Sequence, residues 1–170
     1  MDFDLSEEQR LLVDSARAFA AAELSPNAAD WDRDHHFPTD VIRRAAEQGY
    51  LALYLPEADG GLGLSRLSAS LIFEQLSAGC VATTAFLTIH NMASWMLASF
   101  ADQALKDQWL PRLTSGELLA SYCLTEPDAG TDDGQFLGHR FLIQRAIVIH
   151  DNFLVDRNVR QVTSLGAGGD

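Results

Sequence analysis

A chain of 170 residues has room for one domain with a real core, or for one domain and part of another. Its hydrophobic fraction of 47% argues against wholesale disorder. The formal charge of −12 argues against nucleic-acid binding, which would show a basic patch, and gives no sign of a surface built to hold phosphates. Cationic contacts to an anionic ligand would have to come from elsewhere in a longer protein or from a partner subunit.

The acidic, polar start MDFDLSEEQR is neither a secretory signal nor an Arg-rich transit peptide. The most apolar run, Ala85 to Phe100, is broken by His90, Asn91 and Ser94, so no membrane span is expected. Cys80 and Cys123 are far apart and in apolar settings, which reads as two buried free thiols in a reducing cytoplasm. In chain order, Ser6 is a good N-cap for a helix with Leu12, Ala16, Phe19 and Ala20 at helical spacing, and Pro26 stops or redirects it. A short helix or turn over Ala28–Arg33 carries Trp31. Thr39 or Asp40 caps the next helix, with Val41, Ile42, Ala45 and Ala46 inward and Gly49 at its end. Leu51 to Leu55 is a brief apolar segment before a loop from Pro56 to Gly63. Ser65 begins a helix carrying Leu67, Leu71, Ile72, Phe73 and Leu76. A long helix comes next, from about Ala82 to Ala101. Asp102 caps a further one, which Pro111 ends. Leu12, Phe19, Ile42, Leu71, Phe73, Phe86, Trp95 and Leu97 are the expected core. A β segment begins near Glu117 and runs through Leu118–Leu124. It breaks at Pro127, Asp128, Ala129 and Gly130, leaving hydroxyls and unpaired N–H groups at its tip. The tail RFLIQRAIVIHDNFLVDRNVRQV has β-branched runs that could form two strands.

Several stretches resemble one family. YCLTEPDAGTD, over Tyr122–Asp132, resembles the YCxTEPxxGSD signature of the FAD-dependent acyl-CoA dehydrogenases. LSEEQRLLVDSARAFAAAELSP resembles that family's first helix, and PEADGGLGLSRLSASLIFEQLSAGC its Gly-rich loop and following helix; TTAFLTIHNMASWML and LPRLTSGELLASYCLTEP continue the likeness. It covers Leu5 to Asp132, and GLSRLSASLIFE, IHNM and SYCLTEP are most similar to the isobutyryl-CoA and short branched-chain branch. Asp128 stands where Gly or Asn is usual, and Thr131 replaces a Ser. After Asp132 the likeness nearly disappears, and we read the tail as divergent, truncated or frame-shifted.

The resemblance implies a mainly α fold, an N-terminal helical bundle followed by the start of a β-domain. It divides the chain into a helical domain over 1–115, a first strand and flavin-binding turn over 116–132, and a tail over 133–170. It implies an oxidoreductase of fatty-acid or branched-chain amino-acid catabolism, in which a glutamate removes the α-proton of an acyl-CoA while the β-hydrogen leaves as hydride to FAD. Tyr122, Leu124 and Thr125 match the flavin contacts, and Thr131 matches the Ser that holds the thioester end of the substrate. No catalytic residue is carried over, because the glutamate belongs to a C-terminal helical domain. The family is typically homotetrameric, with electron-transfer flavoprotein as electron acceptor. The alternative is a non-catalytic helical interaction module derived from the family.

On spacing alone, Tyr122–Leu124 is an ordinary core strand; the resemblance makes it a flavin wall. Glu126 and Asp132 read as turn caps rather than an acid–base pair. Asp30, Asp32, Asp34, His35 and His36 lack the spacing of a calcium or zinc site and read as a solvated turn. Gly60-Gly61-Leu62-Gly63 lacks the Lys and Ser/Thr of a phosphate loop and reads as a structural turn. His90 and Asn91 are open between satisfied core polar groups and, with Phe86, Met92 and Trp95, a wall of an acyl pocket.

Overall fold

The computed structural model describes residues 4–121 and, as backbone, 148–150. The expected architecture is present: among the described residues, six α-helices pack into a bundle, and the last leads into a short β-strand.

Helix α1 spans Glu7–Phe19 and starts at Ser6 with a complete capping box. The Gln9 amide N–H donates to Ser6 Oγ at 3.1 Å, and the Ser6 N–H donates to Gln9 Oε1 at 3.0 Å. One π-helical turn, Ala20–Leu24, carries the helix to Ser25, beside Pro26. Helix α2, Ala28–Arg33, holds Trp31. Helix α3, Thr39–Glu47, buries Val41, Ile42 and Ala45. Its N-cap is Pro38, with no side-chain cap bond, so neither Thr39 nor Asp40 caps it. Asp40 lies inside the first turn and pairs with Arg44 one turn on. Gly49, at φ 77°, ends α3: its N–H bonds Ala46 O at 2.8 Å and the Tyr50 N–H bonds Ala45 O at 2.9 Å. That pair of reversed bonds is a Schellman motif.

The apolar segment 51–55 is a buried turn that joins the two halves of the core. Leu51 and Leu53 lie in a cluster with α1, α3, α4 and α5 residues; Ala52 and Leu55 lie in a second with Leu97, Leu110, Leu113 and Ala120. The Gly-rich loop folds back along it. Leu62, Gly63 and Leu64 donate their N–H groups to Ala52, Leu55 and Leu53 carbonyls at 2.8–2.9 Å. A Cβ on Gly61 would lie 2.3 Å from the Leu55 carbonyl oxygen, so only glycine permits this approach. The amides of Gly60, Gly61 and Gly63 are all bonded within the loop or to the segment beneath it, which makes it a structural turn and not a phosphate cradle.

Helix α4, Arg66–Gly79, is capped by Ser65 and buries Ala69, Ile72 and Leu76. Helix α5, Val81–Phe100, contributes to both clusters, Leu87 to the first and Ala93, Leu97 and Ala98 to the second. Helix α6, Gln103–Thr114, is capped by Asp102, whose Oδ1 accepts from Leu105 N at 2.9 Å. Pro111 lies inside α6 and does not end it. Proline removes the N–H that would meet the Asp107 carbonyl. Asp107 and Pro111 are both exposed, so water can serve that carbonyl and the helix continues to Thr114. Strand β1, Leu119–Ser121, pairs antiparallel with β2, Val148–His150, with Ala120 opposite Ile149. Part of the β-branched tail is therefore a strand, as its composition suggests.

Of the eight expected core residues, Ile42 and Leu97 are buried and the other six half-buried. Cys80 is half-buried rather than buried, and Cys123 lies outside the described residues. No described helix is long and apolar enough to cross a membrane.

Candidate functional site

The described part of the site is the support of strand β1, and it is built on α5. This helix is largely apolar, yet His90, Asn91 and Ser94 on it are fully buried. Buried polar groups require partners. Asn91 has three: Oδ1 accepts from Leu53 N at 2.8 Å, and Nδ2 donates to Tyr50 O at 2.8 Å and Leu87 O at 2.9 Å. It replaces the backbone partners that the turn at 50–55 lacks, and fastens that turn to α5.

His90 does the same one residue earlier. Nδ1 accepts from Ala120 N at 3.0 Å, and Nε2 lies 3.2 Å from Leu113 O. The backbone N–H can only donate and the carbonyl can only accept, so the proton sits on Nε2. Burial pushes the imidazole down to about 4, so the neutral ring prevails at neutral pH. The ring thus ties α5 to the last turn of α6 and to the middle of β1. His90 and Asn91 are satisfied core groups. The alternative, an acyl-pocket wall shared with Phe86, Met92 and Trp95, is not what the geometry forms. Phe86 stacks edge-on against Phe37 at 5.0 Å, whereas Trp95 stacks edge-on against Phe100 at 6.0 Å. Nine residues at about 100° each put Phe86 and Trp95 on opposite sides of α5.

The flavin residues expected from the motif, Tyr122, Leu124 and Thr125, and the thioester residue Thr131 lie outside the described residues. So do Glu126 and Asp132. What the structure fixes is the strand entering them: Ala120, two residues before Tyr122, is buried and bonded to His90.

Among the described residues, two open grooves border α5. One, about 610 Å³, lies between the loop of Trp31, His36 and Phe37 and the α4–α5 junction at Cys80. The other, about 420 Å³, runs between α4 and α5 along Phe73, Ser77, Val81, Thr84 and Thr88. The acidic cluster at 30–36 holds no metal-binding group among the described residues; Arg33 pairs with Asp30 and Asp34 there, as a solvated turn would. One arrangement is invisible to sequence periodicity: the Arg66 guanidinium rests 3.5 Å from the Tyr54 ring centroid and 4.6 Å from that of Trp95. The three residues are brought together from separate elements, and nothing local marks them.

The same helical bundle recurs in solved dehydrogenase structures. The model of the acyl-CoA dehydrogenase N-terminal domain matches residues 6–117, and the chain belongs to the acyl-CoA dehydrogenase family. The mitochondrial isobutyryl-CoA dehydrogenase of Bos taurus is 41% identical over 152 residues, covering 89% of this chain and 35% of that enzyme. A match of that length exceeds the 132 residues up to Asp132, so the likeness extends into the tail, where sequence reading finds almost none. A glutaryl-coenzyme A dehydrogenase in its glutaryl-CoA complex superposes with a TM-score of 0.72 at 33% identity, over 78% of this chain and 34% of that one. The FAD complex of PigA superposes with a TM-score of 0.72 at 32% identity, over 78% and 35%. The chain spans about a third of the length of these relatives.

Proposed function

We propose that this chain supplies the N-terminal portion of an FAD-dependent acyl-CoA dehydrogenase acting on a short or branched acyl-CoA. One observation carries the proposal: the family match over residues 6–117 ends where β1 begins, and β1 runs directly into YCLTEPDAGTD. The donor set there fits a flavin. Tyr122 and Thr125 carry hydroxyls, and Thr125 adds a backbone N–H, all suited to the polar edge of a flat ring. FAD, when bound, supplies a two-electron acceptor. The chain's own residues bind and orient: Tyr122, Leu124 and Thr125 hold the flavin, and the Thr131 hydroxyl donates to the thioester end of the substrate. The family's α-proton acceptor matches no position of this sequence, so the proposal assigns this chain no catalytic residue. In our reading the flavin assembly is a cytoplasmic homotetramer that passes electrons to an electron-transfer flavoprotein, and the helical domain, flavin strand and tail divide near 115 and 132.

A second reading is a non-catalytic interaction module that keeps the helical core; the formal charge of −12, poorly suited to the phosphates of an acyl-CoA, favours it. FAD titration of the 170-residue chain, followed by quenching of flavin fluorescence, separates the two. Weak, saturable quenching that Thr125→Ala and Tyr122→Ala abolish supports the flavoprotein. A folded chain that leaves FAD fluorescence unchanged supports the module. Asp128→Gly should tighten binding, because it removes a negative charge beside the site and frees the turn.

A further inference from the structure

We propose that His90 is a positioning residue for the flavin strand: its imidazole, bonded to the last turn of α6 and to the middle of β1, sets where the chain enters Tyr122–Thr125. The functional consequence depends on the flavin assignment above, whereas the latch itself stands on geometry.

The described part of strand β1, Leu119–Ser121, pairs with one described neighbour, β2. His90 adds a second tether from α5, reaching Ala120 N across thirty residues of sequence. Both of its contacts are to backbone, so it fixes the position of the main chain whatever side chains lie beyond. The helix that carries it is itself held, because the adjacent Asn91 clamps the turn at Tyr50 and Leu53. Phe86 packs beside the imidazole, with ring centroids 6.0 Å apart. Any large apolar side chain could fill this volume. Only one with an acceptor aimed at Ala120 and a donor aimed at Leu113 can hold the strand in place.

The test uses the full 170-residue chain. In ¹⁵N spectra at neutral pH, His90 should show a protonated Nε2 and a bare Nδ1, and the Ala120 amide should exchange slowly. The reverse tautomer, or fast Ala120 exchange, overturns the latch. His90→Phe should retain the helical far-ultraviolet signal but bind FAD about tenfold more weakly or worse, since a buried N–H loses its acceptor. His90→Gln, which keeps an acceptor and a donor, should recover most of that affinity. Ile72→Val, a core change on α4 that touches neither hydrogen bond of His90, should lower the melting temperature and leave FAD affinity unchanged. Equal losses of FAD affinity in Ile72→Val and His90→Phe would reduce His90 to ordinary packing and overturn the positioning role. If His90→Phe does not fold, His90→Gln and the tautomer still decide. If the wild-type chain takes up no FAD, the flavin assignment falls, and the tautomer and Ala120 exchange judge the latch alone.

Discussion

Asn91 closes three backbone valences with one amide, and its loss would leave Leu53 N–H and Tyr50 C=O buried without partners. Asn91→Ala should therefore lower stability by about 2–4 kcal/mol in urea denaturation, more than a surface substitution costs. His90 makes a pH-dependent contribution whose sign is fixed. Burial holds its folded value at about 4, below the roughly 6.5 of the unfolded chain. Between the two values the unfolded chain binds more protons, so His90's contribution is complete above about pH 6.5 and is lost as pH falls towards 4. The full loss is on the order of 3 kcal/mol. Urea denaturation at neutral and mildly acidic pH should show it in the wild type, and His90→Gln should lack that part. Sequence alone leaves both residues open between core and pocket, because a polar pair in an apolar helix fits either. Their partners lie 23 to 41 residues away for the contacts that decide it, to Leu113, Ala120, Leu53 and Tyr50.

At the scale of elements, what is legible in the sequence is what is local. Ser6, Ser65 and Asp102 cap helices through bonds three residues long, and their spacing is visible in the sequence. Gly49 ends α3 for the same reason. Asp40 misleads because an acidic residue suits both an N-cap and a first turn, and Pro38 already occupies the cap. Pro111 misleads because the cost of a proline depends on whether the freed carbonyl meets water, a matter of which face is exposed. Ser6→Ala and Asp102→Ala should each cost about 1 kcal/mol, whereas Asp40→Ala, which loses only an exposed ion pair, should stay within about 0.5 kcal/mol. Thermal denaturation of the three variants distinguishes these roles. The proposed flavin residues rest on the motif at Tyr122–Asp132 alone, whereas the support of the strand before them is not legible in sequence: β1 is anchored by α5, and that contact spans thirty residues.

At the scale of the molecule, two apolar clusters meet at the turn 51–55, and β1 reaches both: Ala120 lies in the second and Leu119 packs against the first. Several large side chains expected in the core, among them Phe73, Phe86 and Trp95, are only half-buried. Periodicity gives the inward stripe of each helix but not how completely neighbouring elements cover it. The bundle ends on a strand that is anchored from α5 just before Tyr122, and the central claim is that this strand delivers a flavin site. The absorbance spectrum of the purified 170-residue chain, equilibrated with FAD and freed of unbound cofactor, tests that claim most directly. The account predicts a flavin spectrum that is retained by the wild-type chain and lost in Thr125→Ala. A colourless, cooperatively folded wild-type chain, or flavin retained equally by Tyr122→Ala, Leu124→Ala and Thr125→Ala, would contradict it.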